Sequence, residues 1–279
     1  MTADDWRREL TSLVGRGREA YGDDATREAL ASALAGLTAP PPGPEPLRPD
    51  RPVLGVDACA LGWVGLLLGP DGRPTVHVAP TIFGLLQLVR ENAEPAVVAI
   101  DIPIGLPDRG TRRADVEARR QLRGKASSVF STPTRSALEA ATYEEARAAN
   151  LAATGGASSV SAQAYALAAK ILDVDTWIRG GPGADVIEVH PELSFARMAG
   201  APLLAPKRTE EGARARREVL LAHGLAVPGW FTGGGFAEDD LLDAAAAAWT
   251  AARHDMGVSE SYPSDPEVFS DQVPAAIRV

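Results

Sequence analysis

The chain has 279 residues, 45% of them hydrophobic, enough for one large domain or two small ones with a sizeable core. Its formal net charge of −9 opposes a general affinity for nucleic acid, although a local basic patch can still bind one. The single cysteine, Cys59, excludes a disulfide within the chain and a thiolate-rich zinc site.

The opening residues, "MTADDWRREL", lack a basic-then-apolar signal pattern. No apolar run approaches the ~20 residues needed to span a bilayer. A cytoplasmic protein with no membrane partner is expected. Residues 1–38 read as two short amphipathic helices broken near Gly15–Gly17 and Gly22. This helical extension carries no chemistry of its own. It suits a protein partner or self-association through residues 1–51. Residues 39–52, "APPPGPEPLRPDRP", are seven prolines in fourteen, a stiff extended linker.

The main domain is expected over residues 53–257. "PVLGVDACA" and "GWVGLLLGP" read as buried strands. "PDG" at 70–72 signals a turn into a third strand, "PTVHVAP". "TIFGLLQLVRENA" places Ile82, Leu85, Leu86 and Val89 on one helical face. "AVVAIDIPIGLP" is a fourth strand, stopped by Pro103 and Pro107. The intervening helix carries the chain back by a right-handed crossover, so the fourth strand lies parallel to the first. Residues 108–180 are mainly helical and polar. In the fifth strand, "ADVIEVHPE", alternation puts Val186, Glu188 and His190 on one face and Ile187 and Val189 on the other. "ARARREVLLAHGL" is a helix, "VPGWFTGGGF" a glycine-rich loop suited to movement, and "EDDLLDAAAAAWTAAR" a closing alanine-rich helix. Residues 258–279 read as an irregular acidic tail.

The candidate site follows from this order. Asp57 ends the first strand and Asp101 the fourth, on one edge of the sheet, where open α/β sheets place their crevice. In the alanine helix, Asp239 suits the N-cap, which makes Asp240 the first helical residue. Asp243 lies beyond the reach of capping and shares a face with Asp240. Either a positive group lies between these two, or both reach water. Small alanines let the helix approach the sheet, bringing Asp240 and Asp243 towards Asp57 and Asp101. The bland alternatives are a turn-forming aspartate at each strand end and solvated carboxylates at the helix start.

"GVDACALGWVG", "IDIPIGLP", "SSVF", "EVHPELSF" and "DDLLDAAAAAWTA", in this order over roughly residues 52–257, resemble the DUF429 family, described as predicted nucleases of ribonuclease H-like fold. The resemblance implies an α/β fold with a five-stranded mixed sheet and helices on both faces. It also implies an acidic cluster that binds magnesium or manganese. Asp57 and Asp101 match the strand acids, and Asp240 or Asp243 matches an acid of the last helix. The helix after the third strand lacks an inward acid, Glu91 standing near its end, and Glu188 is the candidate substitute.

The expected chemistry is phosphodiester hydrolysis at one or two divalent ions. Asp57, Asp101, Asp240 and Asp243 are the expected metal ligands, joined by Glu188 as catalytic carboxylates. Oxygen ligands favour magnesium or manganese over zinc. The rival reading of Glu188 is an ion pair with an arginine. From Arg109 to Lys125 seven basic residues stand against two acids, net +5, and from Lys207 to Arg217 five against two, net +3. The first segment follows Asp101 and is expected to stand over the metal site. Arg112, Arg113, Arg119 and Lys207 are therefore candidate phosphate contacts, with solvated helix faces as the alternative. Ser128 is a further candidate contact. His190 is a candidate general acid or metal ligand, or else a half-buried, satisfied histidine. Three functions stand open: a metal-dependent nuclease; a phosphotransferase or hydrolase acting on a small phosphorylated substrate; and a non-catalytic binding module of the same fold.

Overall fold

The computed structural model describes residues 3–38, 44–227 and 234–279. The chain divides into two units, residues 1–43 and 44–279. The first is one helical segment, α1 (Ala3–Thr38), interrupted at Gly22, whose backbone (φ 83°, ψ 167°) leaves the helical region. The helix therefore runs through Gly15 and Gly17 and breaks only at Gly22. Thr26 lies across the break, packed on Gly17 with its hydroxyl on the Gly22 carbonyl. Residues 39–43 of the proline-rich segment lie outside the described residues. Residues 44–50 form neither helix nor strand, as proline dictates. They are not a free spacer: Leu47 N donates to Gly224 O, and Arg51 clasps Asp255.

The second unit is a mixed α/β domain. Its strands are β1 (Val53–Ala58), β2 (Trp63–Leu68), β3 (Pro74–Ala79), β4 (Val97–Ile100), β5 (Asp185–Val189), β6 (Ser261–Val268) and β7 (Pro274–Arg278). Its helices are α2 (Ile82–Arg90), α3 (Arg113–Gln121), α4 (Arg135–Leu138), α5 (Tyr143–Ala153), α6 (Ala162–Ala166), α7 (Ala168–Arg179), α8 (Pro191–Ala199), α9 (Glu210–Ala222) and α10 (Glu238–Asp255). The sheet has seven strands in the order β3-β2-β1-β4-β5-β7-β6. β1, β2 and β3 form the expected antiparallel run, and β4 lies parallel to β1. β5 is parallel to β4 and β7 to β5, while β6 closes the edge antiparallel to β7.

Two expectations need correction here. The sheet has seven strands instead of five, and the supposed irregular tail supplies the extra two. β6 carries Pro263 and Pro266, which argue against a central strand but are tolerated at an edge. β7 is short, and its buried centre is only Ala275, Ala276 and Ile277, too brief a run to stand out. The loop expected to move, around Pro228–Gly233, lies outside the described residues.

Helices cover both faces. On one, Leu54, Val56, Val98 and Ile100 pack with the apolar stripe of α2 (Ile82, Leu85, Leu86, Val89) and with Ile171 and Val174 of α7. On the other, Val53, Val97, Ala99, Ile187 and Val189 pack with α10, where Leu241 to Ala248 are all buried. α10 is helical because alanine is the best helix former, and its small side chains allow close approach. Gly55 of β1 completes the fit: a methyl there would lie 2.1 Å from Ala244 O and from Ala248 N. The helix backbone rests directly on the strand at this point. No helix among the described residues is long and apolar enough to cross a membrane.

Candidate functional site

Strand register fixes the first two carboxylates. Val56 pairs with Ile100, and Asp101 N donates to Val56 O at 3.0 Å, so Asp57 and Asp101 follow at matching positions on neighbouring parallel strands. Asp57 lies two residues from Gly55, and Asp101 two from Ala99, so both belong to the α10 face. Asp243 immediately precedes Ala244, the residue resting on Gly55. These constraints gather Asp57, Asp101, Asp240 and Asp243 around one cleft of about 450 Å³. Acids distant in sequence therefore do converge at one edge of the sheet.

The start of α10 differs from expectation in a useful way. The N-cap is Ala237, whose N–H donates to Asp240 Oδ2 at 2.8 Å. Asp240 is thus the residue that reaches back to the helix entrance, and Asp239 lies inside the helix, buried. Asp239 and Asp243, four apart, share the face that meets a cation. Lys207 Nζ lies 2.5 Å from Asp243 Oδ2 and 3.6 Å from Asp239 Oδ2, and Arg208 Nε lies 3.3 Å from Asp239.

The electrostatics follow from this crowding. Burial, then Asp101 and Asp243, push the Asp57 carboxyl well above the usual range. Burial raises Asp101 to about 7 against the lowering pull of Lys207, with Glu188 and Glu192 adding to the rise. Asp243 is raised to about 6, again chiefly by burial and despite its lysine. Burial works against the Lys207 ammonium, but Asp243, then Asp57 and Asp101, outweigh it and hold the lysine charged. Asp57 Oδ1 accepts from Ala58 N at 2.7 Å. Among the described residues, the Asp101 carboxylate accepts no hydrogen bond and neither strand acid has an ion pair of its own.

Glu188 is an ion-pair residue. Its register partner, Ile100, faces the α2 side, opposite to Asp57 and Asp101. Arg112 holds it with two hydrogen bonds of 2.7 and 2.8 Å, and it also accepts from Ile104 N. Arg112 is 1% exposed and is saturated by Glu188, Asp115 and the Ile104 carbonyl. It lines the cleft but has no donor left for phosphate. Arg119 is spent on Val129 O and Ser131 Oγ. Arg113 pairs with Glu117 across an exposed helix turn, and neither it nor Arg119 lines the cleft. Of the three candidate arginines in this segment, only Arg112 lines the cleft, and its donors are taken. α3 packs on β6 and β7, strands invisible at the sequence level. The second basic segment supplies the cleft cations, Lys207 and Arg208.

His190 and Ser128 also line the cleft. His190 Nε2 lies 3.3 Å from the Ser128 carbonyl, so Nε2 carries the proton, and Nδ1 has no partner among the described residues. Burial lowers the imidazole's pKa, which keeps it neutral at pH 7. Ser128 Oγ is likewise unpartnered. Glu192, in the first turn of α8, is held by Lys125 at 3.0 Å and Arg216 at 2.5 Å. Its pairing with a fully buried arginine had no sequence signal, because the partners are 24 and 67 residues away.

The donor set fits a hard divalent cation in chemistry and charge: several carboxylates, no thiolate, and an ammonium already resting among them. Among the described residues, no group of three or more His, Cys, Asp or Glu side chains is arranged to hold a metal ion. Residues 55–268 match the model of the DUF429 family, a protein family of unknown function. No curated protein gives a match, and neither does any solved structure. With most of the domain covered by that model, the chain belongs to the DUF429 family.

Proposed function

We propose that this protein is a metal-dependent phosphodiester hydrolase, a nuclease of ribonuclease H-like type. The observation that carries the reading is the convergence of Asp57, Asp101, Asp240 and Asp243 on one cleft, with the two strand acids making no ion pair among the described residues. The mixed order of β1 to β5, with helices on both faces, supports the fold reading; β7 and β6 extend that sheet. Asp57, Asp101 and Asp243, with Asp240 beside them, would hold magnesium or manganese. A bound ion supplies Lewis acidity at the phosphoryl oxygen and a nucleophilic water at neutral pH. The chain's own groups do the rest. Rigid strand ends fix Asp57 and Asp101. Arg208 and Lys207 offer positive charge to a phosphate. His190, neutral with its proton on Nε2, presents Nδ1 as a proton acceptor.

A second reading has an observation in its favour. The cleft is concave, about 450 Å³, the size of a small-ligand site. The cleft-side cations of the strongly basic segment, Arg112 and Lys125, are engaged by Glu188, Asp115 and Glu192. A phosphotransferase or hydrolase for a small phosphorylated substrate follows from this. One experiment tests both: incubation with DNA, RNA, nucleotides and sugar phosphates, with and without Mg²⁺ or Mn²⁺. Cleavage of polymers supports the first reading, and turnover of small esters alone supports the second. Full activity in Asp57→Asn, or activity unaffected by chelation, sinks both.

A further inference from the structure

The loop before α9 is built to hold one lysine in place. A Cβ on Gly212 would lie 2.0 Å from Pro206 O, so Pro206 is pressed against the first turn of α9. Thr209 Oγ1 donates to the same carbonyl at 2.8 Å and caps the helix through Gly212 N. Arg216, 0% exposed, donates to Ala205 O and Gly212 O. The backbone on both sides of Lys207 is thus fixed by the first turns of α9. Beyond that anchor the side chain is a flexible four-carbon stem bearing a compact charge. Its head sits on Asp243 and Asp239 and within the field of Asp57 and Asp101. A further role for this residue follows, and it rests on the metal-binding reading above.

We propose that Lys207 is a tethered internal cation: its ammonium occupies Asp243 while the site holds no ion, and a divalent ion must displace it from that carboxylate to bind. The mutual repulsion of two cations opposes their sharing Asp243 Oδ2 at contact distance. The displaced ammonium stays within a stem's length of the cleft, since its backbone is clamped. Lys207 therefore sets the affinity for the ion and keeps the acids compensated in its absence. It is a positioning residue, distinct from the groups that would touch the ion.

The test is Mn²⁺ binding, by calorimetry and by loss of the free-ion EPR signal, in the full-length protein and in Lys207→Met and Lys207→Gln. Removing the competitor is expected to tighten binding about fivefold or more, the equivalent of ~1 kcal/mol for a pair whose lysine is partly exposed. It should also enlarge the rise in melting temperature that Mn²⁺ produces. Unchanged or weaker binding in both variants overturns the proposal while leaving the metal reading standing. No binding in any form, wild type included, overturns the metal reading and this proposal with it. A measurement on the unaltered protein guards against misfolded variants. Mn²⁺ should raise the rate at which Lys207 is acetylated, read by mass spectrometry, relative to Lys170, which stays bound to two backbone carbonyls. Equal rates with and without a bound ion count against displacement.

Discussion

Gly55→Ala places one methyl where the architecture of the site leaves no room. The new Cβ would lie 2.1 Å from both Ala244 O and Ala248 N, against the 3.4 Å at which ordinary contact begins. α10 must therefore retreat from β1 by about 1.3 Å, the difference between these distances. Both obstructing atoms belong to helix backbone, and the neighbouring side chains are buried alanines, so no rotamer change can absorb the clash. Overpacking of a close-packed core costs about 1–3 kcal/mol, and a clash with backbone belongs at the top of that range. For a domain of this size ~3 kcal/mol lowers the melting temperature by roughly 6–12 °C. Circular dichroism on heating reads it directly, with urea unfolding as a check. Gly69→Ala is the control, because its methyl meets only the Asp71 carboxylate, at 3.2 Å, and it should stay within about 0.5 kcal/mol of wild type. A fall of less than about 2 °C in Gly55→Ala would refute the claim that the helix backbone rests on the strand. With it would go the geometry that carries Asp243 towards Asp57.

Arg112→Met strands two buried carboxylates, Glu188 and Asp115, and should cost about 3–5 kcal/mol by urea unfolding; Glu188→Gln added to it should recover part of the loss. Asp175 gives a pH prediction. Burial alone would raise its pKa, but hydrogen bonds and charge from Arg135, then Arg179, win and lower it. A carboxylate lowered on folding adds stability that is present above its unfolded value of about 3.9 and is lost as pH falls through the folded one. Asp175→Asn should accordingly flatten the acid limb of stability against pH, and an unchanged limb would show that the pair contributes nothing. Asp101→Asn keeps the shape, forfeits no hydrogen bond and removes one of several crowded charges. With no divalent ion present it should raise stability at pH 8 by about 1 kcal/mol, read as a higher melting temperature; a lower one would mean that Asp101 has a stabilising partner.

The strands and helices as far as β5 were legible because periodicity, proline stops and turn dipeptides are local signals. The parallel pairing of β1 with β4 followed from the helix between them, and with it the meeting of Asp57 and Asp101. What escaped depended on pairing across long stretches of chain. β6 and β7 could not be read because an edge strand tolerates Pro263 and Pro266, and because Ala275 to Ile277 is too short to show a period. That omission misdirected the first basic segment, since α3 packs on those two strands. The partners of Glu188 and Lys207, 76 and 36 residues away, left no trace in local spacing. The i, i+4 relation of Asp239 and Asp243 was present in the sequence. It was obscured by placing Asp239 at the cap, which shifted the helix start and paired Asp243 with the wrong neighbour.

The carboxylates around the cleft divide by what the fold supplies to them. Glu188 has Arg112, Glu192 has Lys125 and Arg216, and Asp239 and Asp243 share Lys207. Each compensation is made by a side chain anchored elsewhere in the domain, which is how burial of a charge is normally tolerated. Asp57, Asp101 and the less buried Asp240 have no ion pair among the described residues, and the first two stand side by side at the ends of adjacent strands. A structural role would be served as well by asparagine or by an apolar residue. Paired, only partly compensated acids at adjacent strand ends raise the energy of the protein, and a ligand that brings positive charge recovers that energy on binding. The lysine clamped beside them supplies part of the missing charge, from a stem long enough to withdraw it.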